Sequence, residues 1–97
     1  MIEQHSDGLR VTGPMRIANA SALLEAGRGF LRSAGGARQI VVDLSSVEET
    51  DSSALSVVFG WLRTAQKLGM TLRIAHPPAS MLSQAALYGV SDSLPLA

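Results

Sequence analysis

Apolar positions recur along this chain at two periods, and the places where the period changes mark its elements. Residues 2–4 and 9–12 read as short strands around an Asp7-Gly8 turn, a two-residue hairpin signal, and Gly13-Pro14 closes the second. Leu23, Ala26, Phe30 and Leu31 then fall at helical spacing. They predict a helix over 22–33, capped by Asn19 or Ser21 and ended by Gly35-Gly36. Gly27 and Gly29 weaken that helix by about 1 kcal/mol each relative to Ala, so its stability depends on what it packs against. The continuous β-branched run over 39–44 has the pattern of a strand buried on both faces. A long helix follows over 52–68 with Gly69 as its C-cap, then a strand over 70–75. Pro78 can open a helix over 79–88 that Gly89 stops, leaving 90–97 as a tail or short edge strand.

The order β-β-α-β-α-β-α needs crossover connections. It predicts an α/β fold: a mostly parallel mixed sheet of about four to five strands with helices packed against it. A chain of 97 residues without repeats or linkers is expected to form a single domain over 1–97.

The long helix carries more apolar surface than one buried stripe requires. At about 100° per residue its apolar sector spans roughly 200°, where a surface helix needs little more than ~100°. Leu55, Phe59 and Leu62 lie on one line, while Val57 and Trp61 lie well away from it. Either the helix sits between the sheet and its neighbours, with Trp61 in the core, or Ala54, Val57 and Trp61 form part of a surface for a partner protein.

Composition narrows the function classes. Hydrophobic residues make up 46% of the chain and charged ones 16%, which suits a folded globular domain. Eight Lys and Arg balance eight Asp and Glu, so the surplus of cations that a nucleic-acid binder needs is missing. There is no cysteine, which excludes disulfides and thiolate metal sites. Residues 1–8 carry acids and no apolar core, and no apolar run approaches the ~20 residues of a membrane span; a cytoplasmic protein without direct membrane insertion is expected. His5 and His76 have no second ligand at metal spacing, and His76, ahead of Pro77-Pro78, is expected at the surface. Ser45-Ser46 and Ser80 match no nucleophile elbow or Ser-x-x-Lys pattern, and no glycine-rich phosphate loop occurs. Neither enzyme chemistry nor a cofactor or metal is expected.

The stretch with most chemical content is Asp51-Ser52-Ser53, where a turn opens the long helix. Asp and Ser are preferred N-cap residues, and simple capping would account for them. A hydroxyl at the positive end of a helix is also a place where a phosphoryl group would sit favourably and repel a docked partner. Asp43 ends the preceding strand as a cap or turn acceptor, and Glu48 and Glu49 read as a solvated loop.

The segment Ile40-Val41-Val42-Asp43-Leu44-Ser45, then Val47 and Asp51-Ser52-Ser53-Ala54-Leu55, resembles the STAS domain of anti-sigma-factor antagonists and their relatives. The resemblance covers essentially the whole chain, with Ala54 standing where the family generally has Gly. The ending Ala86-Leu87-Tyr88-Gly89-Val90-Ser91-Asp92-Ser93-Leu94-Pro95 is similar to the MlaB-type branch, which serves bacterial phospholipid-transport ABC systems. That likeness implies a non-catalytic accessory subunit that binds the ABC transporter ATPase, in complex with its permease, peripheral to the inner membrane. Its docking surface would comprise Asp43, Asp51, Ser52, Ser53, Ala54, Val57 and Trp61. The alternative implied by the family is an anti-sigma-factor antagonist that binds a serine kinase or anti-sigma factor and is released by phosphorylation of Ser52. A small-ligand or lipid-binding module is a third possibility, resting only on the surplus apolar surface of the long helix.

Overall fold

A computed structural model describes residues 1–5, 8–34 and 38–97. Four strands, β1 (Ile2–His5), β2 (Gly8–Thr12), β3 (Gln39–Ser46) and β4 (Thr71–Ala75), form one sheet in the order β1-β2-β3-β4. β1 and β2 are antiparallel, whereas β2–β3 and β3–β4 are parallel. The two parallel steps are bridged by α1 (Ala20–Ser33) and α2 (Ser53–Lys67), and α3 (Ala79–Leu87) follows β4. The mixed, mostly parallel α/β sheet is the one the element order predicts.

The hairpin lies one position from its expected place. Gly8 is the first residue of β2 and pairs with His5, while Asp7 lies outside the described residues. Glycine is required at that position because a Cβ there would strike the carbonyl oxygen of Val41 in β3. The Gly35-Gly36 stop also falls outside the described residues. Gly69 and Gly89, at φ +73° and +70°, end α2 and α3 in the left-handed conformation expected of C-cap glycines.

The expectation that β3 is buried on both faces is corrected. Ile40, Val42 and Leu44 are buried, but Val41 and Asp43 between them are only partly so. The same alternation runs through β4, where Leu72 and Ile74 point inward and Thr71 and Arg73 outward. One face of the sheet is therefore core and the other is open. A run of β-branched residues suits both situations, because its pattern cannot show that Val41 lies against solvent.

The core joins the inner sheet face to Leu23 and Leu31 of α1, seven residues of α2, and Met81 and Ala85 of α3. α2 packs against α1, β4 and α3, which accounts for its broad apolar sector. At its crossing with α1 two glycines permit close approach: Leu24 sits over Gly60, and the Trp61 indole occupies the space where a Cβ on Gly27 would be. The indole nitrogen donates to the carbonyls of Leu23 (3.2 Å) and Leu24 (3.1 Å). Trp61 is thus held by both shape and hydrogen bonding.

Beyond β4 the chain turns through His76, which is exposed and has φ +54°. After a 3-10 turn at Ser91–Ser93, Leu96 bridges Ile74 in parallel, so the last residues cover the free edge of β4. No helix among the described residues is long and apolar enough to cross a membrane.

Candidate functional site

The opening of α2 is fixed by two loops that fasten to each other. Past the irregularity at the end of β2, buried Met15 forms a parallel bridge with Thr50; its N–H donates to the Glu49 carbonyl (2.9 Å), and its carbonyl accepts from the Asp51 N–H (3.2 Å). Arg16 and Glu49 form an ion pair above this bridge. Asn19 accepts from the Arg16 N–H (2.9 Å) and donates to the Pro14 carbonyl (2.7 Å). It therefore braces the connection into α1 and makes no side-chain cap to that helix.

Asp51 joins these loops to the helix. One carboxylate oxygen accepts the Ser53 N–H (2.8 Å) and the other accepts the Ile17 N–H (2.9 Å), while its carbonyl accepts from the Ala54 N–H (3.0 Å). Asp51 is the effective N-cap, two residues before the first residue of α2 and one before the position that backbone geometry alone would mark as the cap, Ser52. The Ile17 hydrogen bond holds its carboxyl below the usual carboxylate range; slight desolvation opposes this, and Ser53 and the nearby Arg16 reinforce it. Each oxygen holds a backbone N–H, so Asp51 serves this turn as a structural anion.

Ser52 and Ser56 are exposed and Ser53 is half-exposed, forming a hydroxyl ridge along the outer face of α2. On one side a shallow hollow is lined by Ile17, Ala20, Leu24 and Val57; on the other a hollow of about 340 Å³ is lined by Leu55, Phe59, Tyr88 and Val90. Ile17 is 76% exposed and Tyr88 59%. The Thr50 and Ser80 hydroxyls hydrogen-bond at 2.6 Å, tying the turn to the start of α3. The result is a polar ridge with apolar shoulders on a rigid base, suited to docking another protein.

The structure brings together Asp51, Ser52 and Ser53 but not the remaining expected residues. Ala54, Val57 and Trp61 are 1–2% exposed, so their side chains have almost no surface to offer a partner. They face inward because α2 is enclosed by the sheet, α1 and α3. The surplus apolar surface that suggested a ligand or lipid module is consumed by the same packing. Asp43 belongs elsewhere: on the open sheet face it accepts from Arg10 Nε (3.2 Å) and the Ser45 N–H (2.9 Å). It lines a cleft with His5, Arg10, Ala75 and His76. Partial burial raises its pKa, but hydrogen bonds from Ser45 and the Arg10 charge outweigh that and leave it lowered. Sequence reasoning missed Ile17, Ser56 and Tyr88 as parts of the ridge and its shoulders. Ile17 lies in a connection with no periodicity, and only its exposure marks it.

The family described as Mlab, STAS domain matches residues 2–96. The chain belongs to that STAS domain family. A stretch of 67 residues is 36% identical to the intermembrane phospholipid transport system binding protein MlaB of Haemophilus influenzae. The match covers 67% of this chain and 64% of that relative, a little under two thirds of its length. An anti-sigma factor antagonist from Mycobacterium paratuberculosis superimposes with a TM-score of 0.73 at 25% identity, covering 99% of this chain and 81% of that one. The phosphorylated form of the Bacillus cell fate determinant SpoIIAA gives 0.69 at 15% identity, covering 100% and 89%, a likeness of fold. Within this STAS domain the departure at Ala54 has a simple consequence. Its methyl group is buried, so it does not obstruct approach to the turn from outside.

Proposed function

We propose that this STAS domain is a non-catalytic accessory subunit that binds and regulates the ATPase of a phospholipid-transporting ABC complex at the cytoplasmic side of the inner membrane. The similarity to the Haemophilus MlaB protein carries this reading. The site geometry supports its mode of action: Asp51 holds Ser52 and Ser53 in a fixed attitude, and Ile17 and Tyr88 supply apolar contact on either side. Such a subunit acts by binding one conformation of the ATPase more tightly than another.

Affinity purification of the chain in mild detergent at native expression, followed by mass spectrometry, tests the proposal. An ABC ATPase with its permease is the expected catch. A second reading is favoured by the exposure of Ser52 and the shared fold with phosphorylated SpoIIAA. On that reading the chain is an anti-sigma-factor antagonist released by a serine kinase. A phosphoryl group on Ser52 would place a second anion beside the Asp51 carboxylate and alter the docking ridge directly. Recovery of a serine kinase or anti-sigma factor, with no transporter subunit, would replace the first reading with the second.

A further inference from the structure

The two edges of the sheet are treated differently. The last residues cover β4 through the Ile74–Leu96 bridge, whereas among the described residues nothing pairs with the outer side of β1. An open strand edge is a template for another strand. Met1 and Thr12 exchange both backbone hydrogen bonds, at 2.6 and 2.7 Å. By the antiparallel alternation Glu3 and His5 also bond inward to β2, so Ile2 and Gln4 direct their N–H and C=O groups outward.

We infer that β1 pairs antiparallel with β1 of a second copy of this chain, joining the two sheets about a two-fold axis at Gln4. A two-fold axis perpendicular to the sheet keeps the helix side of one copy on the helix side of the other, so residues that meet must share a face. An axis on any residue satisfies this, but within β1 only Glu3 and Gln4 then pair three residues of each strand, whereas Ile2 or His5 would pair one. Centring on Glu3 sets that carboxylate against its own copy, which is unfavourable. Centring on Gln4 lets the two Gln4 backbones exchange both hydrogen bonds and sets each Glu3 opposite the other copy's His5. Within one chain Glu3 and His5 already lie together, 3.8 Å apart.

The helix side of the same edge supplies apolar area. A hollow of about 310 Å³ lies between β1 and α1, lined by Met1, Ile2, Asn19, Ala22, Leu23 and Ala26. Met1 is 82% exposed, and the small side chains of Ala22 and Ala26 are exposed beside it. The two-fold operation brings the hollow of one copy toward that of the other. With eight cationic and eight anionic side chains, two copies meet without net repulsion.

Sedimentation velocity of the full chain from micromolar to millimolar concentration reads the outcome. A concentration-dependent dimer is expected. Gln4→Pro removes an outward N–H and spares the β1–β2 ladder; it should raise the dimer dissociation constant about tenfold, the loss expected from two hydrogen bonds. Glu3→Lys should weaken the dimer, and Glu3→Lys combined with His5→Glu should restore it. Because the chain has no cysteine, Gln4→Cys should give a covalent dimer on mild oxidation. Thermal melts establish that each variant is folded, and Glu3→Lys and Gln4→Cys carry the test if Gln4→Pro is not. A monomer throughout the range, or a dimer indifferent to both Glu3→Lys and Gln4→Cys oxidation, overturns the inference. Tighter association of Glu3→Gln would place the axis on Glu3 and overturn the register.

Discussion

The first turn of α2 and the turn around Trp61 lie about 13 Å apart on one helix and solve opposite problems. Around Trp61 every contact is internal: Gly27 makes room for the indole, Leu24 covers Gly60, and the indole N–H is satisfied by two carbonyls of α1. At the first turn the side chains are polar and face outward, yet Asp51 holds the backbone to two separate segments. The comparison teaches that rigidity at an exposed polar turn need not come from burying its residues. Here a capping carboxylate and a packed crossing further along the same helix provide it, leaving Ser52 and Ser56 available.

The largest expected effect comes from breaking the packed half. Trp61→Ala should destabilise the fold by roughly 3–5 kcal/mol, through lost burial and a cavity beside Gly27, as measured by urea denaturation. Loss of partner binding in that variant should follow its unfolding. Gly27→Ala drives a methyl group into the indole and should cost about 1–3 kcal/mol, although alanine is the better helix former. An observed stabilisation would mean that α1 and α2 do not cross this closely.

Changes at the first turn should alter stability less and binding more. Asp51 and Asp43 both have folded-state pKa values below the ordinary carboxylate value. For both, the unfolded chain takes up protons first as pH falls, so their contribution is complete above the unfolded value near ~3.9 and is lost as pH drops through the lower folded values. Denaturant midpoints measured down this window should fall less steeply in Asp51→Asn than in the unmodified chain. The smallest effect on stability belongs to Ser52. Ser52→Asp should leave the thermal midpoint almost unchanged and abolish capture of the partner, whereas Ser52→Ala should retain most of it. Normal capture by Ser52→Asp would remove this turn from the interface.

Much of the fold was legible because its punctuation is local. Gly69, Pro78 and Gly89 stop or start helices through their own backbone preferences, and the alternating elements of this length impose parallel crossovers. The Asp51-Ser52-Ser53 turn could be read for the same reason. Trp61 could not be placed, since an apolar sector of that width fits both a core helix and an interface. The family resemblance grouped Asp43 and Asp51 on one surface, but β3 carries Asp43 onto the open face of the sheet beside Arg10.

Sequence alone therefore determined the order of elements, the mixed parallel sheet and the turn that opens α2. These depend on short-range backbone preference and periodicity, which survive in any window of the chain. Tertiary structure alone decided which face of β3 meets solvent, that Gly27 exists to accommodate Trp61, and that Ile17 and Tyr88 flank the serine ridge. Those facts depend on which distant segments come to lie against one another, and burial is a property of that meeting and not of any residue by itself.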